Sequence, residues 1–224
     1  MIFASKSQPA PPCLAIEKAK ATGSYRCDGV LHAIRNDFYN KCYICEQREP
    51  TTINVEHFRP HRNYRDVMFD WNNLFFACGH CNNIKLAKPI FDDILDVTQE
   101  TDEVDKKIRY HINPYPKEKA EFRALENTDR VNNSVTLLDA VYNGTTTLKS
   151  IEAANVRNLL LKEIRTFQDL LFDYYDETYS AEEKEEIKQK IIRHLRPASS
   201  FTAFKRWVIR DHENLKADFE QYCG

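Results

Sequence analysis

Two Cys-x-x-Cys pairs, Cys42-Tyr-Ile-Cys45 and Cys78-Gly-His-Cys81, constrain this chain more than any other feature. Each tight pair can aim two thiolates at one ion, and two such knuckles complete the tetrahedral four-sulfur shell that Zn2+ accepts without redox chemistry. A redox dithiol needs one pair and leaves the second unexplained. Four protein ligands also leave no open position for a substrate. The spacing therefore predicts a structural zinc at Cys42, Cys45, Cys78 and Cys81 whose binding is part of folding itself. The other cysteines, Cys13, Cys27 and Cys223, are scattered and read as ordinary buried or half-buried thiols.

The chain around these pairs is long enough, at 224 residues, for one hydrophobic core or one core with a small appended module. Its formal net charge of −2 gives no general attraction to nucleic acid or to an anionic membrane, so any nucleic-acid contact must come from a local patch or a partner. The first residues lack both a basic start and an apolar run, and no stretch approaches the ~20 apolar residues that span a bilayer. A cytoplasmic location without membrane association is the expectation.

Hydrophobic periodicity divides the chain into three parts. In residues 1–40, Pro9, Pro11 and Pro12 block a helix before Cys13, and two short helices follow, from Leu14 to Ala21 and from Tyr25 to Tyr39. Residues 41–92 hold the cysteine pairs, with short β-like runs around a polar turn at Gln47 to Pro50, a loop-rich stretch over 54–75, and a helix opened by Cys78 to Asn83 and ended by Pro89. Residues 93–224 are irregular at first, with a strand expected at Ile108 to Ile112, and then mainly helical. A long amphipathic helix covers 151–175, a charged helix runs from Ser180 to Leu195 with Ser180 and Glu183 as its capping box, and two more helices lie at Phe201 to Ile209 and Leu215 to Tyr222.

The residues between the cysteine pairs carry reactive chemistry. Glu56 and His57 precede a basic, proline-stiffened loop with Arg59, His61, Arg62 and Arg65; Asn73 follows in Trp-Asn-Asn-Leu, and Asn82 and Lys85 follow the last cysteine. Phosphodiester hydrolysis needs a base to activate water, a divalent ion to neutralise charge, and cationic groups to hold the backbone. A lone histidine would be an ordinary surface or core residue, and the basic loop could be a solvated charge cluster. Phosphate contact is the functional reading for Arg59, His61, Arg62, Arg65, His80 and Lys85.

This order of residues resembles the HNH, or ββα-metal, nuclease family. The resemblance implies an α+β fold in which a small zinc-braced ββα-metal module is embedded in a mainly α-helical protein. It assigns His57 as general base, Glu56 as acidic metal ligand, Asn73 as the residue that orients the base through the loop backbone, and Asn82 as the ligand completing the protein side of the metal site. Two departures stand out: Glu56 is one methylene longer than the commoner Asp, and Asn82 is a neutral ligand where His is usual. Mg2+ or Mn2+ suits such a sparse oxygen shell.

Lys-Cys-Tyr-Ile-Cys-Glu at 41–46, Val-Glu-His-Phe-Arg-Pro-His at 55–61, and the Trp-to-Lys run at 71–85 are similar to the PtuB-type HNH component of Septu and retron-associated antiphage defence systems. That similarity implies nucleic acid, DNA above all, as substrate. It implies as partners an ATPase of the ABC or SMC-like class and, in the retron setting, a reverse transcriptase with its RNA–DNA product. It also makes the C-terminal helices a scaffold and docking region. The alternatives are a catalytically inactive zinc-binding recognition module and a structural subunit of such a complex.

Overall fold

The computed structural model describes residues 1–224 and is mixed α/β, mostly helical. Pro12 opens helix α1 (Pro12–Ala19), where a missing amide hydrogen costs nothing and the fixed φ suits the first turn; no helix precedes it, as the three prolines lead one to expect. Helix α2 (Asp28–Asp37) buries Val30 and Ile34, one turn apart on a single face. Cys13 and Cys27, at the starts of the two helices, are joined by a disulfide with Cα atoms 6.4 Å apart. This corrects the reading of both as ordinary thiols: the turn at residues 20–26 folds the chain back and brings together cysteines that show no pairing signal in their spacing.

Next come β1 (Ile53–His57), the short α3 (Arg65–Met68), β2 (Leu74–Cys78) and α4 (Gly79–Leu86). Strands β1 and β2 pair antiparallel, setting Glu56 opposite Phe75 and His57 opposite Leu74. Their presence corrects the loop-rich expectation for residues 54–75. The run Gln47 to Pro50 makes only a single bridge, Lys41 with Arg48. Every residue of β2 is buried, which is why its sequence reads as a continuous apolar run and not as an alternation. Helix α4 packs across both strands.

Helix α5 (Val104–Lys107) leads into β3 (Ile108–Ile112), which pairs antiparallel with β4 (Ala120–Ala124). The remaining helices are α6 (Asp129–Asn143), α7 (Thr147–Tyr175), α8 (Ala181–Leu195), α9 (Thr202–Arg210) and α10 (Glu213–Phe219). Helix α7 buries Ala153, Val156, Leu160, Ile164, Phe167 and Leu171, a stripe at spacings of three and four that holds one face of a long helix against the core. The capping box at Ser180 is present, with Glu183 closing it onto the Ser180 backbone. No helix is long and apolar enough to cross a membrane.

One hydrophobic cluster runs from Met1 through the cysteine region to Phe204, while a smaller one lies beneath α7, α8 and α10. Polar ties fasten the first knuckle to the C-terminal helices. Tyr142 of α6 donates to the Cys45 carbonyl at 2.7 Å, the Phe201 amide donates to the Glu46 carbonyl at 3.2 Å, and buried Lys41 donates to the Pro197 carbonyl, just after α8, at 2.6 Å. The helices therefore brace the cysteine region directly.

Candidate functional site

The four cysteine sulfurs lie within 4.8 Å of one another and all four residues are buried. Cys45 and Cys78, from different knuckles, have their sulfurs 3.9 Å apart. A tetrahedral zinc with Zn–S of about 2.3 Å needs sulfurs roughly 3.8 Å apart, so the donor set fits the ion. The fold creates this convergence. Cys78 ends β2 and caps α4, its sulfur accepting from the Cys81 amide at 3.5 Å, so a helix N-terminus faces the thiolate. The Tyr43 amide bonds to the Phe76 carbonyl at 3.1 Å and sets the first knuckle against the same strand.

Glu56 and His57 are neighbours on β1, so their side chains leave on opposite faces. Both nevertheless border one cavity of about 360 Å³ at the end of the strand, together with Tyr25, Arg26, His61, Arg62, Asn82 and Lys85. Nε2 of His57 is 2.9 Å from the Met68 carbonyl. A carbonyl can only accept, so this contact keeps the proton on Nε2 and leaves the lone pair on Nδ1. The His57 ring packs edge-on against Tyr25 and His61, at centroid distances of 4.5 and 4.6 Å. Its burial lowers the imidazole pKa, against a smaller upward pull from the Met68 carbonyl, and favours the neutral form.

Asn73 sits beneath this arrangement. Its Oδ1 accepts from the Arg59 amide at 2.7 Å, while Nδ2 donates to the carbonyls of Arg59 and Val67 at 2.9 and 3.2 Å. Those bonds clamp both ends of the loop that delivers Met68 to His57. Asn73 is thus a positioning residue for the loop and does not touch the cavity.

On the other face of β1, Glu56 is 3% exposed and its Oε1 lies 2.8 Å from Nζ of Lys85, also 3% exposed. The directed hydrogen bond of that ammonium goes elsewhere, to the Phe58 carbonyl at 2.8 Å. Two donors lie against the Glu56 carboxylate, the Lys85 ammonium and the buried Tyr43 hydroxyl, although neither points squarely at an oxygen. Burial pushes the Glu56 carboxyl above its usual range despite the nearby ammonium.

Several basic side chains already have partners within the protein. His80 faces away from the cavity, with Nδ1 2.7 Å from Glu152 and Nε2 2.8 Å from the Val141 carbonyl, bracing α4 against α6 and α7. Arg65 caps the end of α1 through the carbonyls of Lys18 and Lys20. Lys85 is buried at Glu56. In each of these three contact candidates the side chain is already engaged by a carbonyl or carboxylate. Arg59 is exposed but outside the cavity wall, whereas His61 and Arg62 border it. Tyr25 and Arg26, which sequence reasoning missed, form the opposite wall; they lie far from β1 in the chain and no motif contains them.

No family model matches the chain. A curated relative, the Septu protein PtuB of Bacillus thuringiensis, is 33% identical over 86 aligned residues, covering 34% of this chain and 34% of that protein. The aligned part spans about a third of the relative's length.

Proposed function

We propose that this chain is a metal-dependent HNH-type endonuclease that hydrolyses nucleic-acid phosphodiester bonds, DNA above all, as the effector of an antiphage defence complex. The similarity to a Septu protein supports the defence setting. The observation that carries the catalytic reading is the His57–Met68 contact, because a general base needs a fixed tautomer and a free nitrogen at the edge of a cavity. The β1–β2–α4 arrangement with its cysteine cluster supports an HNH-type module.

In this reading, Nδ1 of His57 takes a proton from a water molecule, whose oxygen attacks the phosphorus in line with the departing 3′ oxygen. The products are a 5′-phosphate and a free 3′-hydroxyl. Arg26, His61 and Arg62 hold the phosphate chain from opposite walls of the cavity. Glu56 and Asn82 would hold Mg2+ or Mn2+. Both residues border the same cavity, and their oxygen donors are of the kind such ions bind. When bound, it supplies charge neutralisation at the phosphate and the leaving oxygen. The zinc at Cys42, Cys45, Cys78 and Cys81 plays a different part. These four thiolates would hold it so that the first knuckle is fastened to the β2–α4 junction.

The C-terminal helices form the docking region for an ATPase of the ABC or SMC-like class, and Phe172 on α7, 75% exposed, lies on that surface. A second reading, a zinc-braced recognition module without cleavage, draws on the ammonium already seated at Glu56. Supplying zinc-loaded protein, alone and with a co-encoded ATPase, with plasmid, single-stranded DNA and RNA separates the two. Cleavage that requires Mg2+ or Mn2+ supports the nuclease; stoichiometric binding with no cleavage under any condition supports the recognition module.

A further inference from the structure

The candidate site for the divalent ion contains its own cation. Lys85 and Glu56 are both buried, and Nζ approaches Oε1 to 2.8 Å while directing its hydrogen bond to the Phe58 carbonyl. The carboxylate is thus already occupied by a cation of the protein itself, with the buried Tyr43 hydroxyl also against it. Two physical consequences follow. A divalent ion must share the carboxylate oxygens with that ammonium, and it must bind them beside a fixed positive charge. The ammonium cannot retreat into water, because its stem is enclosed between β1 and α4 and its remaining contacts are backbone carbonyls, Phe58 at 2.8 Å and His57 at 3.5 Å. The only cavity-facing charge of the same sign as Glu56 comes from Asp92, so the wall of Arg26, His57, His61, Arg62 and Lys85 does not offset a second cation.

We propose that Lys85 is a built-in competitor that keeps Glu56 and Asn82 from holding Mg2+ or Mn2+ tightly by themselves, so that the ion is retained only together with a nucleic-acid phosphate. A phosphate entering between Arg26 and Arg62 brings the negative charge that the site lacks, and it can share its oxygens with the ion while offsetting Lys85. Metal and substrate then bind with positive coupling, each raising the affinity of the other by the same factor. The inference rests on the proposed nuclease reading for the identity of the anion. Its physical basis is the Glu56–Lys85 geometry.

The test is Mn2+ binding to zinc-loaded full-length protein, followed by electron paramagnetic resonance of the free ion, in a His57→Ala background that prevents turnover. With Lys85 present, a short oligodeoxynucleotide tightens Mn2+ binding at least roughly tenfold, and Lys85→Met tightens it by a similar factor without oligonucleotide while shrinking the oligonucleotide effect. Adding Glu56→Gln abolishes the tight site in both cases. Tight Mn2+ binding to the Lys85 protein without oligonucleotide, or an oligonucleotide that leaves Mn2+ affinity unchanged, overturns the proposal. The oligonucleotide arm needs no change at Lys85, so it decides the matter even where Lys85→Met fails to fold. The nuclease reading has a separate outcome: coupled Mn2+ binding in a protein whose His57 form cleaves nothing removes catalysis but keeps the coupling.

Discussion

The Met68 carbonyl oxygen lies 2.9 Å from Nε2 of His57, a contact between a strand end and the loop that follows it. It gives the imidazole one tautomer and one ring orientation before any substrate arrives, which general-base catalysis requires. The contact depends on a loop with little secondary structure of its own, so its rigidity must come from elsewhere.

Asn73 supplies much of that rigidity. Asn73→Ala removes three hydrogen bonds and leaves the Arg59 amide and the Arg59 and Val67 carbonyls without their side-chain partner. Stability should fall by about 1–3 kcal/mol, and cleavage should slow although zinc remains bound. Hydrogen exchange read across residues 58–69 checks this; unchanged protection of the Arg59 amide refutes the clamp.

The cysteine cluster should behave as a folding element. Cys45→Ser removes one of four thiolates whose zinc contributes about 10–16 kcal/mol in comparable small folding units. The variant should lose zinc, and its β1–β2–α4 region should unfold cooperatively. Near-ultraviolet circular dichroism with metal analysis measures both, and a folded, zinc-free variant argues against a structural ion.

The Cys13–Cys27 disulfide closes a loop with a sequence separation of 14. A closure of this size stabilises by about 3 kcal/mol through the unfolded chain. Cys13→Ser and reduction of the unmodified protein by a dithiol should lower the melting temperature equally. A reductant effect that persists in Cys13→Ser assigns it to the zinc thiolates instead.

Acid sensitivity should have a component from His194. Burial, with the Lys205 ammonium 2.9 Å from Nδ1, lowers its pKa from 6.5 to about 4. Between those values the unfolded chain binds the proton and the folded one does not, so stability rises with pH through the window. Stability should be complete above pH 6.5 and decline toward pH 4. Denaturant titrations of His194→Gln should show a flatter profile across that window, and an unchanged slope contradicts the assignment.

The features behind these predictions differ in how far the sequence alone revealed them. The convergence of the cysteines was legible because Cys-x-x-Cys is a local geometry repeated twice. The strand at Ile108–Ile112 and the Ser180 capping box were legible for the same local reason. Strand β1 was not: its five residues include Asn54, Glu56 and His57, and only pairing with all-buried β2 makes it a strand. Helix α6 was missed because buried Ser134 interrupts its apolar stripe, and strand β4 because its apolar face is short. Tyr25, Arg26 and Met68 carry no motif; the first two reach the cavity through the α1–α2 turn, and Met68 reaches His57 through the segment after β1. The engagement of Lys85, Arg65 and His80 by internal partners is likewise a tertiary fact, since residue type reveals charge but not what the charge already touches.

The most direct test of the proposed nuclease mechanism is single-turnover cleavage of DNA by the zinc-loaded protein with the proposed ATPase partner and Mg2+ or Mn2+, beside the same complex carrying His57→Ala. Loss of the general base should slow cleavage roughly 10²–10⁴-fold. Zinc content should stay unchanged, because His57 touches no cysteine, and the melting temperature should fall by only a few degrees for the lost hydrogen bond to Met68. Undiminished cleavage by the His57→Ala complex would contradict the central claim.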